Sequence, residues 1–197
     1  VSEATFRAFV GLPIPPPIRH ALGEMQAAFR HAGVRAAWVA PENFHITLRF
    51  LGNITYAQLE SLDSALGGAL ANCRAMQFSL DGADVFPDMG HPAVVWAGLR
   101  ALHGDADGLY AAVCEAAAAI GVAPGRRHVQ AHVTLCRLRR GHAPSARLQE
   151  ALAAARARVS DEFWVDSVAL WRSELRRGGA VYHQIKEYPL QCLPSIY

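Results

Sequence analysis

An α+β fold built on mainly antiparallel sheets is predicted by three observations. Segments with alternating apolar residues and segments with apolar residues three to four apart take turns along the chain. The strand-like segments are mostly half polar, as antiparallel strands with one open face are. No Gly/Ser hinge or low-complexity run interrupts the 197 residues, so a single domain over 1–197 is expected.

Taken in order, "FRAFVGL" (6–12) reads as a strand stopped by "PIPPP", and a helix follows from 18 to 32. "NFHITLRFLG" (43–52) reads as a strand ended by Gly52-Asn53. Alternation puts Phe44, Ile46, Leu48 and Phe50 on its buried face and His45, Thr47 and Arg49 on the other. "TYAQLESLDSALGGALANC" has helical spacing in Leu59, Leu62, Leu66 and Leu70, with Thr55 placed as its N-cap. Two strands, "MQFSLDGADVF" and "AVVWAGLR", flank a turn at 87–92, and a helix over 103–120 closes at Gly121. "HVQAHVTLCRLRR" is a further strand, followed by a helix over 145–158. "FWVDSVALWRSEL" and "AVYHQIKEYPL" close the chain as a hairpin turned at Gly178-Gly179.

Composition narrows the function classes. The 52% hydrophobic content is swollen by alanine, and no apolar run approaches the roughly 20 residues of a membrane-spanning helix. "VSEATFRAFVGLP" has no basic segment leading a long apolar one, so no secretory leader is expected, and a cytoplasmic location is. Cys73, Cys114, Cys136 and Cys192 form no CxxC pair, which predicts free thiols. A net charge of +2 is too small for a nucleic-acid coat. Lys186 is the one lysine, so an anion held here by a cation is expected on arginine, whose planar fork suits phosphate oxygens.

The chemistry is carried by a repeated tetrapeptide. "HITL" at 45–48 recurs as "HVTL" at 132–135, and two of the chain's four threonines stand two residues after a histidine. On a strand, residues i and i+2 point the same way, about 6.5–7 Å apart, so a histidine and a hydroxyl reach one small ligand. Two such strands bring two imidazoles and two hydroxyls to one point. One histidine then takes a proton from a nucleophile and the other gives one to a leaving oxygen, while the hydroxyls donate to non-bridging oxygens. Imidazoles titrate near neutrality, so both protonation states are available together, and the scheme needs neither metal nor cofactor.

In these motifs the sequence resembles the two-histidine (2H) phosphoesterases, specifically the bacterial and archaeal RNA 2′,3′-cyclic phosphodiesterases, also called 2′-5′ RNA ligases. "RAFVGLPIP" is similar to their opening strand, "NFHITLRFLG" and "AHVTLCR" to their two HxTx motifs, "AVVWAGL" to the central strand and "VALWRSELRRGGAVYHQIKEYPL" to the closing hairpin. The resemblance implies a bilobal, pseudo-symmetric fold, with two mainly antiparallel sheets facing a central groove and helices outside. It implies His45, Thr47, His132 and Thr134 as catalytic residues and Arg137 as a phosphate contact. It also implies metal-independent opening of 2′,3′-cyclic phosphate ends to 2′-phosphate. The pseudo-symmetry leaves the two histidine roles interchangeable, and we take His132 as base and His45 as acid. Reverse 2′-5′ ligation would use the same groups. One departure is that Ala131 stands where the family has proline before the second motif.

Some assignments are less direct. Strict alternation turns Arg137 toward the face of Val133 and Leu135, so a bulge or twist is required to bring it to the phosphate. Phe9, Trp96 and Tyr182, with Trp171, are candidates to stack a base, though core packing is the better reading of each taken singly. Arg126-Arg127 and Arg139-Arg140 are candidate guides for RNA, or solvated loops. His128, His132 and Cys136 would line up as metal ligands on a helix, but the alternation around them reads as strand. The expected partner is RNA or a nucleotide with a 2′,3′-cyclic phosphate, bound by a monomer with no metal and no membrane. The rival readings are a 2H phosphodiesterase for ADP-ribose cyclic phosphate or 2′-5′ oligoadenylate, and a non-catalytic RNA-binding module.

Overall fold

The structure, a computed structural model, describes residues 3–123, 125, 130–139, 145–156, 159–176 and 179–192. In chain order the elements are β1 (Thr5–Pro13), α1 (Pro16–His31), β2 (Ala36–Trp38), a 3-10 turn (Pro41–Asn43), β3 (His45–Thr55), α2 (Tyr56–Leu70), β4 (Met76–Phe86), β5 (Val94–His103), α3 (Ala106–Ala118), β6 (His132–Leu138), α4 (Ala146–Arg156), β7 (Val159–Val165), β8 (Ser167–Arg176) and β9 (Gly179–Pro189). His128, Arg126, Arg127 and Arg140, singled out in the sequence, lie outside the described residues.

The predicted α+β class holds, with two refinements of the strands. "FWVDSVALWRSEL" is two strands rather than one. The chain leaves β7 at Val165, passes Asp166 and enters β8 at Ser167, and each strand pairs in a different half of the sheet. The three-residue β2 has too few residues to show a period.

Strands run in the order β9-β8-β1-β3-β6-β5-β4-β7, with β2 also on β6, and the pairs among these strands are antiparallel. The two expected sheets are the halves of this path, β9-β8-β1-β3 and β6-β5-β4-β7. One residue pair joins them, Ile46 with Val133. Those are the residues between the histidine and the threonine of HITL and HVTL. The local two-fold of the fold therefore passes between the motifs themselves.

Helices lie behind each half. α2 and α3 pack on each other and on β3, while α4 packs on β4 and α1 on β6 and α4. α1 starts with proline at its first turn, where the missing N–H costs nothing. It buries Ile18, Leu22, Met25 and Phe29 along one face. α2 opens with a capping box: Gln58 N donates to Thr55 Oγ1 at 3.2 Å, and Thr55 N donates to Gln58 Oε1 at 2.9 Å. Among the described residues no helix is long and apolar enough to cross a membrane. The four cysteines are free.

Two β-bulges set which side chains face outward. On β3, Thr47 pairs with Gly11 and Arg49 with Val10, so Leu48 is the extra residue. On β6, Thr134 pairs with Trp96 and Cys136 with Val95, so Leu135 is the extra residue. Each bulge resets the alternation immediately after its motif. In β6, Leu135 and Cys136 are both buried and Arg137 emerges on the open side. In β3 the same reset overturns two expectations. Phe50, expected in the core, is 62% exposed with its ring beside Phe9 at 6.2 Å. Arg49, expected beside His45, turns instead toward α3. There its guanidinium donates to the Ala123 carbonyl and meets the Tyr110 phenol.

Candidate active site

Antiparallel pairing of Ile46 with Val133 sets His45 alongside Thr134 and Thr47 alongside His132. Ile46 and Val133 are buried while the four motif side chains are half-buried on the opposite face. The structure thus brings together all four residues expected to be catalytic.

The two histidines are held in the same way. His45 Nδ1 lies 2.7 Å from the Asn43 carbonyl and His132 Nδ1 lies 2.8 Å from the Gln130 carbonyl. A carbonyl only accepts, so each Nδ1 carries the hydrogen and donates it. Each Nε2 is left as the nitrogen that meets a substrate. Asn43 is itself fixed, because its Nδ2 donates to the Ala180 carbonyl on β9 at 2.8 Å.

Aromatic rings wall both imidazoles. Around His45 stand Phe9 at 4.6 Å, Tyr182 at 5.2 Å and Trp171 at 5.8 Å between ring centroids. Around His132 stand Phe86 at 5.1 Å and Trp96 at 5.8 Å, both edge-on. Phe9 stacks on Trp171 and Phe86 on Trp96, so each half contributes one stacked pair. Phe86 had no signal in the sequence. Of the candidate stacking residues, Phe9 and Trp96 are buried beside the histidines, and Tyr182 keeps part of its ring exposed. The ring most available to a ligand is Phe50.

The site is electropositive. Burial lowers the His45 pKa to about 4, and the nearby charges of His132 and Arg137 act in the same direction, against the stabilising bond to Asn43. Arg137 is exposed, and among the described residues its guanidinium has no hydrogen bond or ion pair. Neither motif threonine has a side-chain hydrogen bond among the described residues, so both hydroxyls are open to a ligand. No three His, Cys, Asp or Glu side chains converge among the described residues. His132 and Cys136 face opposite sides of β6, the first half-buried and the second fully buried.

Close backbone approach fixes the floor. A Cβ on Gly11 would lie 2.4 Å from the Ile46 carbonyl oxygen, between His45 and Thr47, so only glycine allows β1 this near the motif. Behind β6, the buried Gln26 of α1 donates through Nε2 to the Leu135 carbonyl at 2.8 Å and to the Val39 carbonyl at 2.7 Å. Leu135 is the bulge residue, so a helix side chain secures the kink that turns Arg137 outward.

Two motif strands paired edge to edge at a local two-fold, each offering an imidazole Nε2 and a hydroxyl on one face, define a phosphoesterase of the two-histidine class. The comparisons agree. A family described as LigT like Phosphoesterase matches residues 12–96. A protein of Aeropyrum pernix named RNA 2′,3′-cyclic phosphodiesterase is 30% identical over 84% of this chain and 93% of its own. One of Thermus thermophilus with the same name is 32% identical over 94% and 90%. The crystal structure of TT0787 from Thermus thermophilus superposes with a TM-score of 0.72 at 27% identity, covering 93% of this chain and 97% of that one. E. coli LigT complexed with 3′-AMP shares the fold, with a TM-score of 0.71 at 22% identity over 95% and 99%. The chain belongs to the LigT-like phosphoesterase family, with the proteins named RNA 2′,3′-cyclic phosphodiesterase.

Proposed function

We propose that this protein is an RNA 2′,3′-cyclic phosphodiesterase that opens ribose 2′,3′-cyclic phosphate ends to 2′-phosphates without a metal, acting as a monomer. The observation that carries this reading is the matched pair of Nδ1 clamps, which present two Nε2 atoms on one face beside two free hydroxyls. His132 takes the proton of a water as its oxygen attacks phosphorus. His45 delivers a proton to the 3′ oxygen as the P–O3′ bond breaks. Thr47, Thr134 and Arg137 donate to the non-bridging oxygens, where charge must be stabilised. With an RNA 5′-hydroxyl in place of water, the same transfers form a 2′-5′ linkage.

His45 suits the acid role through its environment. Desolvation makes its imidazolium a stronger acid than a solvated one. A cyclic phosphate anion lodged beside it offsets the charge of Arg137 and recruits the proton it then gives away.

The nucleoside is placed by Phe50. Its exposed ring extends the aromatic wall of Phe9 outward from the histidines and offers a face to any base. Phe50→Ala is expected to raise KM for 2′,3′-cyclic AMP roughly tenfold, from the loss of about 1–3 kcal/mol of stacking, with kcat within twofold. Steady-state kinetics check this.

A substrate panel tests the function. Turnover of 2′,3′-cyclic AMP well above that of ADP-ribose 1″,2″-cyclic phosphate and 2′-5′ oligoadenylate is expected. Preference for either of the latter would make this a phosphodiesterase of another nucleotide. Binding of cyclic-phosphate-ended RNA without turnover would make it an RNA-binding module.

A further inference from the structure

We propose that Arg7 forms a second phosphate subsite, one that receives the phosphodiester on the 5′ side of the terminal nucleotide and makes the protein favour oligonucleotides over mononucleotides. This rests on the cyclic phosphodiesterase reading above and concerns the outer part of the same groove.

The register places Arg7 there. Phe9 lies across from Phe50 on β3 and Trp171 on β8, within the aromatic wall of the site. Two residues along β1, on the same face, comes Arg7, across from Asn53 and Ser173. One pleat step of about 6.5–7 Å thus separates the ring wall from a cation. Moving outward from His45 along β3, the open face presents Thr47, then Phe50, then the strip beside Arg7. If the cyclic phosphate sits at the histidines and the nucleoside at Phe50, the next phosphate falls on this strip.

The state of Arg7 fits a binding role. It is exposed, and its guanidinium has no ion pair or hydrogen bond among the described residues. Among the described residues the arginines of the adjacent β8 differ, because Arg172 and Arg176 both pair with Glu174, at 3.2 and 2.9 Å. Arg7 and Arg137 are the two cations whose charge acts on the Tyr182 phenol, which lies against Phe9 and His45. One cation serves the reacting phosphate, and the other stands where a chain continuing from it would pass. A guanidinium offers a phosphodiester two parallel donors at this distance from the chemistry.

The test compares kcat/KM for the dinucleotide ApA with a 2′,3′-cyclic phosphate end and for 2′,3′-cyclic AMP, in wild type, Arg7→Ala and Arg7→Lys. Wild type is expected to favour the dinucleotide. Arg7→Ala should lower the dinucleotide-to-mononucleotide ratio about tenfold, as loss of one charge-assisted bond predicts, and Arg7→Lys should recover part of it. The salt dependence for the dinucleotide should flatten in Arg7→Ala by roughly 0.7 in log–log slope. An unchanged ratio, or equal losses on both substrates, overturns the subsite while leaving the catalytic reading intact. A wild type that turns over neither substrate defeats that reading, and the subsite with it.

Discussion

Replacing either His45 or His132 with alanine is expected to lower kcat/KM on 2′,3′-cyclic AMP by about 10²–10⁴-fold, the usual contribution of a positioned acid or base. The double variant should be little worse than either single one, because the two imidazoles act on one transition state. Both rings sit at the open face rather than in the core, so the variants should retain the fold by circular dichroism. The roles separate with a substrate carrying sulfur in place of the 3′ bridging oxygen. A thiolate leaves without needing a proton, since thiols ionise near pH 8.5. His45→Ala should recover most of its loss on that substrate and His132→Ala should not. Recovery by His132→Ala instead would exchange the two roles.

The second large effect is expected far from the chemistry. Gln26→Met keeps the volume of the side chain in α1 but removes the Nε2 donor shared by the Leu135 and Val39 carbonyls, leaving Leu135 only the Val39 backbone N–H at 3.0 Å. Leaving buried carbonyls short of a partner costs about 1–3 kcal/mol, a fall in Tm of roughly 5 °C for a chain of this length. The bulge at Leu135 then loses its side-chain anchor, and Arg137 its fixed approach to the phosphate. kcat/KM should fall about tenfold. Combined with Arg137→Ala, Gln26→Met should add little further loss of activity, because both changes act through one guanidinium. A variant that loses Tm but keeps full kcat/KM, or losses that add fully, would separate the bulge from catalysis.

The site was legible where the sequence repeats itself. Each HxTL places a histidine and threonine on one strand face and two apolar residues behind, and the period of two needs no other information. The pairing of Ile46 with Val133 is less local but follows from the same symmetry. Arg137 was legible in its requirement, since its reach demanded a departure from alternation, and the bulge at Leu135 supplies one. The signal was present in "TLCRL", where two successive apolar residues precede an alternation of opposite phase. "TLRFLG" has no such apolar doublet at its bulge, and Phe50 looks like core by composition. There the bulge at Leu48 sends an arginine inward and a phenylalanine outward. The consequence is a pseudo-symmetric exchange: the position that holds Arg137 after one motif holds Phe50 after the other.

Other features leave no local trace. Phe86 reaches His132 from two strands away, and nothing around it in the chain marks that meeting. The chain's passage between halves at Asp166 lacks the glycine or proline that punctuates most strand ends. Gln26 reads as one more polar residue on a helix, yet its carbonyl partners come from the β2 side and from β6.

The central claim is tested most directly by turnover in ¹⁸O-labelled water. Wild-type protein is incubated with 2′,3′-cyclic AMP and EDTA, and the product is resolved by chromatography and mass. The two-histidine account predicts 2′-AMP carrying a single ¹⁸O on phosphorus, formed at a rate unaffected by the chelator. Formation of 3′-AMP, or turnover abolished by EDTA and restored by a divalent metal, would contradict it.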